Sequence, residues 1–277
     1  MTAITIPPNN TQPITLQSGD TLTVNQGGTS KNITINDGAT EFVGTGGKAV
    51  NTTVNDGGRL EVSGAIDQTT INGGGVILHH GTADHTTINF SNLFPFSQLE
   101  ADDHSVVKNI VITGGTLLGT TRGALFDATS TVENVTFRDP SGKGAAGIGL
   151  DNPQNVTGFI KGLGVGDFIQ LGGVTMSIKV TGFELDTKKN DLIITYNDAT
   201  HTGLHVTYHV PAMQPHTTFK LEQVTATQAT LTVIAEKTVG NHKVASESAE
   251  HTDDSTDLVS LVGVAHGHGH AGADGLL

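Results

Sequence analysis

One short phrase recurs four times in the first hundred residues, and this repetition constrains the fold more than any other feature of the sequence. Its copies are NITINDGA at 32–39, NTTVNDGG at 51–58, QTTINGGG at 68–75 and HTTINFSN at 85–92. The asparagines that share one place in these copies, Asn36, Asn55, Asn72 and Asn89, recur at intervals of 19, 17 and 17. A period of about 20 residues is typical of solenoids, in which each repeat packs only on its neighbours.

Each repeat contains two short alternating runs, which glycine-rich turns separate. The run NTTVN, for example, is followed by DGG and then by RLEVSG. Turn signals of this kind predict strands of about five residues joined by tight turns, without helices between them. The composition agrees, since glycine is frequent at 36 residues and aromatic residues make up only 4 % of the chain.

Two architectures fit this pattern: a β-meander or sandwich of hairpins, and a β-solenoid. We favour the solenoid because its coils place like residues over like residues about 4.8 Å apart, which explains why the strand sequences stay similar. The four asparagines are expected to form an amide ladder along the stack or, alternatively, to serve as turn residues that tolerate left-handed backbone. The expected inward positions are Leu22, Val24, Ile33, Ile35, Val54, Leu60, Val62, Ile71, Ile77 and Ile88.

We therefore predict an all-β chain made of three parts. A β-solenoid of about six to seven coils is predicted at 1–144. The period is lost at 145–235, where runs such as DLIITYN and ATLTVIA predict an antiparallel β-sheet or sandwich that caps the end of the stack. Residues 236–277 are acidic and contain the sequence HGHGHAGADGLL, which predicts a flexible tail.

The repeats also resemble a known family. The segment GGTSKNITINDGATEFVGTGGKAVNTTVNDGGRLEV (27–62) is similar to the repeats of AIDA-type autotransporter passengers and related bacterial surface proteins. A shorter stretch, NPQNVTGFIKGLGVGDFIQLGGV (152–174), resembles the segment that follows such repeats in large secreted bacterial proteins. The resemblance implies an extracellular or cell-surface β-helix that acts in adhesion, aggregation or matrix building, with sugars on Ser and Thr in some relatives.

The N-terminal sequence bears on location. MTAITIPPNNTQP lacks the basic segment and apolar run of a Sec-type signal peptide. We therefore expect the chain to reach the cell surface or the medium by a route without an N-terminal signal peptide. A cytoplasmic location is the alternative.

Composition argues against several classes of function. The net charge of −13 disfavours binding to nucleic acid. No apolar run is long enough for a membrane-spanning helix, so we expect no membrane insertion. The absence of cysteine excludes disulfides and thiolate chemistry. No phosphate loop, dinucleotide fingerprint or H-E-x-x-H motif is present, and we expect a protein that is not an enzyme.

The longest excursion from the repeat, NFSNLFPFSQLEADDHS at 89–105, is the candidate ligand-binding loop. Loops that bulge from a rigid scaffold often carry function. Phe94 and Phe96 precede Glu100, Asp102 and Asp103, and carboxylates beside aromatic rings can bind or cleave a sugar. The alternative is a loop whose phenylalanines cover the solenoid while its acidic groups face water.

Two groups of histidines are candidate metal ligands. His266, His268 and His270 alternate with glycine, and an extended chain places their imidazoles on one face, which suits Ni²⁺, Zn²⁺ or Cu²⁺. The alternative is adventitious binding of a divalent metal by a solvated tail, and we expect no cofactor. In LHHGTADH (78–85), three further histidines could form a zinc site, but strand alternation places His79 and His80 on opposite faces.

Three functions are consistent with these features. The first is a non-enzymatic extracellular or cell-surface structural or adhesive protein, whose partners are a surface glycan, further copies of itself in a homo-oligomer or filament, or both. The second is a β-helix protein that binds or cleaves a polysaccharide through 89–105. The third is a cytoplasmic scaffold filament.

Overall fold

The structure of the 277-residue chain is a computed structural model. It describes residues 3–5, 12–89, 99–114, 123–138, 146–173, 176–239, 242–244 and 260–262. The described residues form strands, turns and one 3-10 turn at Pro153–Asn155, which confirms the predicted all-β class. None of them forms a helix that is long and apolar enough to span a membrane.

The strands between Ala3 and Leu171 stack in three parallel columns. The first column contains β4 (Thr29–Lys31), β7 (Lys48–Val50), β10 (Ala65–Asp67) and β13 (Thr82–Asp84). The second contains β2 (Ile14–Leu16), β5 (Ile33–Ile35), β8 (Thr53–Asn55), β11 (Thr70–Asn72) and β14 (Thr87–Asn89). The longer strands β16 (Val106–Thr113), β18 (Thr131–Arg138) and β20 (Val156–Lys161) continue both columns. The third contains β1 (Ala3–Thr5), β3 (Thr21–Val24), β6 (Thr40–Val43), β9 (Arg59–Val62), β12 (Gly75–His79), β15 (Leu99–Asp102), β17 (Ala124–Phe126), β19 (Gly147–Leu150) and β21 (Phe168–Leu171).

This arrangement confirms the predicted β-solenoid, with about seven turns. The repeated phrase stacks on itself in register: Ile71 lies between Val54 and Ile88 in the parallel second column. Like residues therefore lie over like residues along the stack, as the repeat predicted.

The interior of the solenoid is filled by alternate residues of each strand. Nine of the ten predicted inward residues are at most 1 % exposed, and Ile77 is the exception. Ile77 lies in the uninterrupted apolar run VIL, in which alternation alone does not say which residues point inward. The register pairs Val76 with Leu60 and Leu78 with Val62, so Ile77 points outward beside Glu61 and the prediction for it was wrong.

Two antiparallel layers close the end of the solenoid. They contain β22 (Lys179–Asp186), β23 (Asp191–Asn197) and β24 (Leu204–His209) in one sheet, and β25 (Thr217–Thr225), β26 (Gln228–Ala235) and β29 (Ser260–Val262) in the other. The hairpin of β27 (Lys237–Val239) and β28 (His242–Val244) follows. β26 pairs with β21 and β24 pairs with β20, so each layer extends one face of the solenoid and covers its last coil.

The change from parallel to antiparallel pairing comes later than we predicted. The sequence placed it at residue 145, where the period is lost. In the structure, β19 and β21 still pair in parallel with the preceding coils, and the first antiparallel hairpin, of β22 and β23, follows Leu171. Later coils are longer, since Leu99 pairs with Ala124 whereas Val54 pairs with Ile71. The strands thus continue to stack after the sequence period has become irregular.

Candidate functional site

The four predicted asparagines lie in one ladder on the outside of the second column. The side-chain nitrogen Nδ2 of Asn55 donates to Oδ1 of Asn36 at 2.9 Å. Asn72 donates to Asn55 at 3.4 Å, and Asn89 donates to Asn72 at 2.8 Å. The left-handed backbone of these turns falls on glycines such as Gly57, with φ of 72°, and not on the asparagines. The structure thus places the asparagines as a ladder along the stack.

A second column of polar side chains marks the corner between the first and second columns of strands. Its members have left-handed backbone and are Asn32, Asn51, Gln68, His85, Asn109 and Asn134. Asn51 donates to Asn32 at 2.7 Å, and Asn134 donates to Asn109 at 3.1 Å. Sequence reasoning missed this column, although its first four members open the four copies of the repeated phrase.

The predicted acidic residues lie where β15 ends and turns toward β16. Each of the two aspartates pairs with a histidine of the coil before it: Asp102 Oδ1 is 2.7 Å from Nδ1 of His79, and Asp103 Oδ2 is 2.6 Å from Nδ1 of His80. His104 Nδ1 lies 3.7 Å from the other oxygen of Asp103. His85, the third histidine of the LHHGTADH motif, lies elsewhere and contacts Asp67 and Asp84. The structure therefore joins His80 to residues of the next coil.

Asp127 follows β17, in the coil after the one that contains Asp103, and stabilises this corner. Its carboxylate accepts hydrogen bonds from the backbone N–H of Asp103 at 3.0 Å and of Ser130 at 2.7 Å. Partial burial opposes ionisation of Asp127, but these hydrogen bonds and those from Thr129 and Ser130 outweigh it, so the pKa of this carboxyl lies below its usual value. Asp127 is consequently an ionised acceptor at neutral pH.

A cavity of about 580 Å³ lies beside this corner, between the third column and the turn that joins β25 to β26. The solenoid contributes Glu100, Asp102, Leu125, Asp127 and Asp151 to its lining, and the cap contributes Gly173, Thr225, Thr227 and Gln228. We refer to it as the groove. The carboxylates of its wall accept hydrogen bonds, the Thr and Gln side chains can donate them, and Leu125 offers apolar surface.

Other predicted site residues lie outside the described part of the chain. They are Phe94 and Phe96 of the candidate loop, and His266, His268 and His270 of the tail. Of the five residues proposed for the ligand-binding loop, the structure places three: Glu100 and Asp102 line the groove, and Asp103 lies next to it in the corner.

One acidic side chain lies inside the solenoid. Glu41 is fully buried on β6, and the hydroxyl of Ser30 donates to its Oε1 at 2.6 Å. Burial raises the pKa of Glu41 to about 7, and the hydrogen bond from Ser30 only partly opposes this shift. The sequence pattern did not indicate that Glu41 is buried. Its neighbours in the same column, Leu22 and Leu60, are leucines.

A family model and a solved structure are similar to parts of this chain. The family described as adhesin of bacterial autotransporter system, probable stalk, matches residues 5–58, which confirms the resemblance of the repeats over that range. The crystal structure of the TibC-catalyzed hyper-glycosylated TibA55-350 fragment aligns with 23 % sequence identity and a TM-score of 0.38. That alignment covers 56 % of this chain and 58 % of the fragment. A comparison with curated proteins gave no match.

Proposed function

We propose that this chain is a non-enzymatic adhesive protein of the cell surface, in which the solenoid is a rigid stalk and the groove binds a glycan. The observation that carries the proposal is the stack of parallel coils, whose first coils match a family of adhesin stalks. The name of that family supports an adhesive role and a location outside the cell.

The structure supports rigidity along the stack. Parallel strands join each coil to the next, and the asparagine ladder adds side-chain hydrogen bonds in the same direction. About seven coils at about 4.8 Å each give a rod of about 34 Å, not counting the cap. A stalk that transmits force needs such continuous bonding along its axis.

The chemistry of the groove favours a particular class of glycan. Glu100, Asp102, Asp127 and Asp151 contribute carboxylates, while the described lining contains no Lys or Arg. Carboxylates accept hydrogen bonds from sugar hydroxyls and repel anionic polymers. We therefore assign the groove to an uncharged or amino-containing glycan.

The pKa values of two carboxyl groups, Glu41 and Asp127, favour binding over cleavage. A glycosidase needs one carboxyl that stays protonated, held by a raised pKa, as its general acid. The pKa of Glu41 is raised in this way, but its side chain is sealed in the interior. In the groove the pKa of Asp127 is lowered, which makes it a poor proton donor.

An attachment assay with a cleavage readout tests this proposal. Beads coated with the full chain are washed over surfaces that carry uncharged, amino-containing or anionic glycans, and released reducing sugar is measured. We expect attachment to an uncharged or amino-containing glycan, without sugar release, and its loss in the Glu100→Gln/Asp102→Asn double variant. The control, Glu133→Gln, removes an exposed carboxylate outside the groove and is expected to leave attachment unchanged. Attachment to anionic glycans only, equal attachment by the double variant, or release of sugar would contradict the proposal.

Self-assembly is a second candidate function, which the N-terminal end of the stack favours. In the described part of the chain, no strand pairs with the outer edges of β1, β2 and β4. Unpaired edges of this kind can add a strand from a second copy. Negative-stain electron microscopy at several concentrations tests this: filaments would support assembly through these edges, and discrete particles at every concentration would refute it.

A further inference from the structure

We propose that His80, Asp103 and His104 form a binding site for a divalent transition metal ion such as Zn²⁺, which ties two successive coils together. His80 follows β12, whereas Asp103 and His104 follow β15 in the next coil. The site is separate from the carbohydrate chemistry of the groove, and it does not depend on the proposed adhesive function.

The ligand atoms of the three residues already lie close together, all within 4.8 Å of one another. Nδ1 of His80 is 2.6 Å from Oδ2 of Asp103, and Nδ1 of His104 is 3.7 Å from Oδ1 of the same carboxylate. In a tetrahedral zinc site with bonds of about 2.0–2.1 Å, neighbouring ligand atoms are about 3.4 Å apart. This value lies between the two observed distances.

The backbone of the corner is left-handed at all three residues. His80, Asp103 and His104 have φ of 56°, 55° and 65°, a left-handed conformation that is costly for residues other than glycine. The corresponding corners of two earlier coils use Gly27 and Gly46 for their left-handed residue. At the corners that follow β12 and β15, the left-handed residues instead carry side chains that can bind a metal ion.

The coil that follows holds two of the ligands in place. The N–H of Asp103 donates to Asp127 at 3.0 Å, and the N–H of His104 donates to the hydroxyl of Thr129 at 2.9 Å. The rings of His80 and His104 are stacked, with centroids 6.0 Å apart and planes at 22°. Ligands held in this way lose little conformational freedom when the metal binds.

The donor set fits a borderline transition metal. Two neutral imidazoles and one carboxylate are ligands that Zn²⁺ accepts, and imidazole also suits Cu²⁺ and Ni²⁺. The three side chains are 54–72 % exposed, so a fourth position is open to water. The nearby carboxylates of Asp102 and Asp127 add negative potential that favours a cation.

A second cluster, Asp67, Asp84 and His85, is a weaker candidate. It offers one imidazole, and the ammonium group of Lys48 lies 3.9 Å from Asp67. A cation already beside a carboxylate competes with a metal ion. The corner of His80, Asp103 and His104 is therefore the better site.

The position of the site suggests what the metal would do. Residues 80 and 103 lie at the same corner of two successive coils, and β13 and β14 stand between them in sequence. A metal bound to both corners would link the two coils by coordination in addition to the strand hydrogen bonds. It would thereby stabilise the stack at the step from the coil of β12 to the coil of β15.

Isothermal titration with zinc chloride tests the site, in the full chain with the tail ligands removed by His266→Gln, His268→Gln and His270→Gln. We expect this background variant to bind one equivalent of Zn²⁺. His80→Asn or His104→Asn, added to it, should weaken binding at least tenfold, and asparagine tolerates the left-handed backbone of these positions. His216→Asn is the matched control, because His216 is also exposed and left-handed, with φ of 58°, and lies outside both clusters.

Thermal unfolding provides an independent readout. Zinc should raise the melting temperature of the background variant and of its His216→Asn form by similar amounts, and that of the His104→Asn form by clearly less at the same zinc concentration. Circular dichroism without zinc shows whether each variant is folded. The absence of zinc binding in the background variant, or equal binding after the changes at His80 and His104, would overturn the proposal.

Discussion

Replacing the titratable carboxyl group of the buried Glu41 should change how the stability of the solenoid depends on pH. Glu41 lies on β6 between Leu22 of β3 and Leu60 of β9, in a column that is otherwise aliphatic at these coils. Its Oε1 accepts a hydrogen bond from Ser30, and its Oε2 has no partner among the described residues. The side chain is therefore most stable in the folded chain when it carries a proton.

The magnitude follows from the two pKa values. Burial raises the pKa of Glu41 from the ordinary 4.5 to about 7. Below pH 4.5 the carboxyl is protonated in both the folded and the unfolded chain, and its burial carries no ionisation penalty. Between pH 4.5 and 7 the unfolded chain releases this proton while the folded chain keeps it, so stability falls as pH rises. At about 1.4 kcal/mol for each pH unit, the loss amounts to about 3 kcal/mol above pH 7.

Glu41→Gln keeps the oxygen that Ser30 binds and removes the titration. Urea unfolding followed by circular dichroism at pH 5, 6, 7 and 8 should show that the wild-type chain loses about 2.5 kcal/mol more than this variant between pH 5 and 8. Any constant cost of the buried amide cancels in that comparison. Glu61→Gln, one coil along and on the outer face, is the matched control and should retain the wild-type pH dependence. Equal pH dependence of the wild-type and Glu41→Gln chains would refute the reasoning.

Three further predictions concern the stability of single coils, and urea unfolding at pH 7 measures each. Asn55→Ala removes two ladder hydrogen bonds and should lower the free energy of unfolding by about 1–2 kcal/mol, while Thr53→Ala, on the same face, should change it by no more than about 0.5 kcal/mol. Thr69→Val should raise it by about 1 kcal/mol, because the hydroxyl of Thr69 is fully buried without a partner among the described residues; a decrease would show that the hydroxyl is bonded. Gly57→Ala should lower it by at least about 1 kcal/mol, because φ is 72° and the added Cβ would collide with Asp37, whereas Gly75→Ala, with open space around it, should be nearly neutral; equal effects of the two changes would contradict this account of the turn.

The sequence predicted the solenoid because the fold repeats its own contacts. A residue such as Ile71 packs above and below on copies of the same phrase, so similarity between the copies is itself a sign of stacking. Alternation then identified the inward residues wherever apolar and polar residues alternate strictly. It failed at Ile77 because three apolar residues follow one another, and only the register with the neighbouring coil decides between them.

The later coils and the corner were harder to predict for a common reason. The later coils contain more residues than the earlier ones, so residues that meet in space no longer stand at a fixed distance in sequence. His80 was considered together with His79 and His85 of its own motif. Its partners Asp103 and His104 belong to the next coil, more than 20 residues away in sequence, and only the stacking of two corners brings them together.

We propose that the solenoid acts outside the cell, and antibody labelling of the native host tests this location most directly. Intact and permeabilised cells are stained with a fluorescent antibody against the folded chain, beside an antibody against a cytoplasmic marker. We predict that the antibody against the folded chain labels intact cells fully and that the antibody against the cytoplasmic marker does not label them. Labelling that requires permeabilisation would contradict it and would favour a cytoplasmic scaffold.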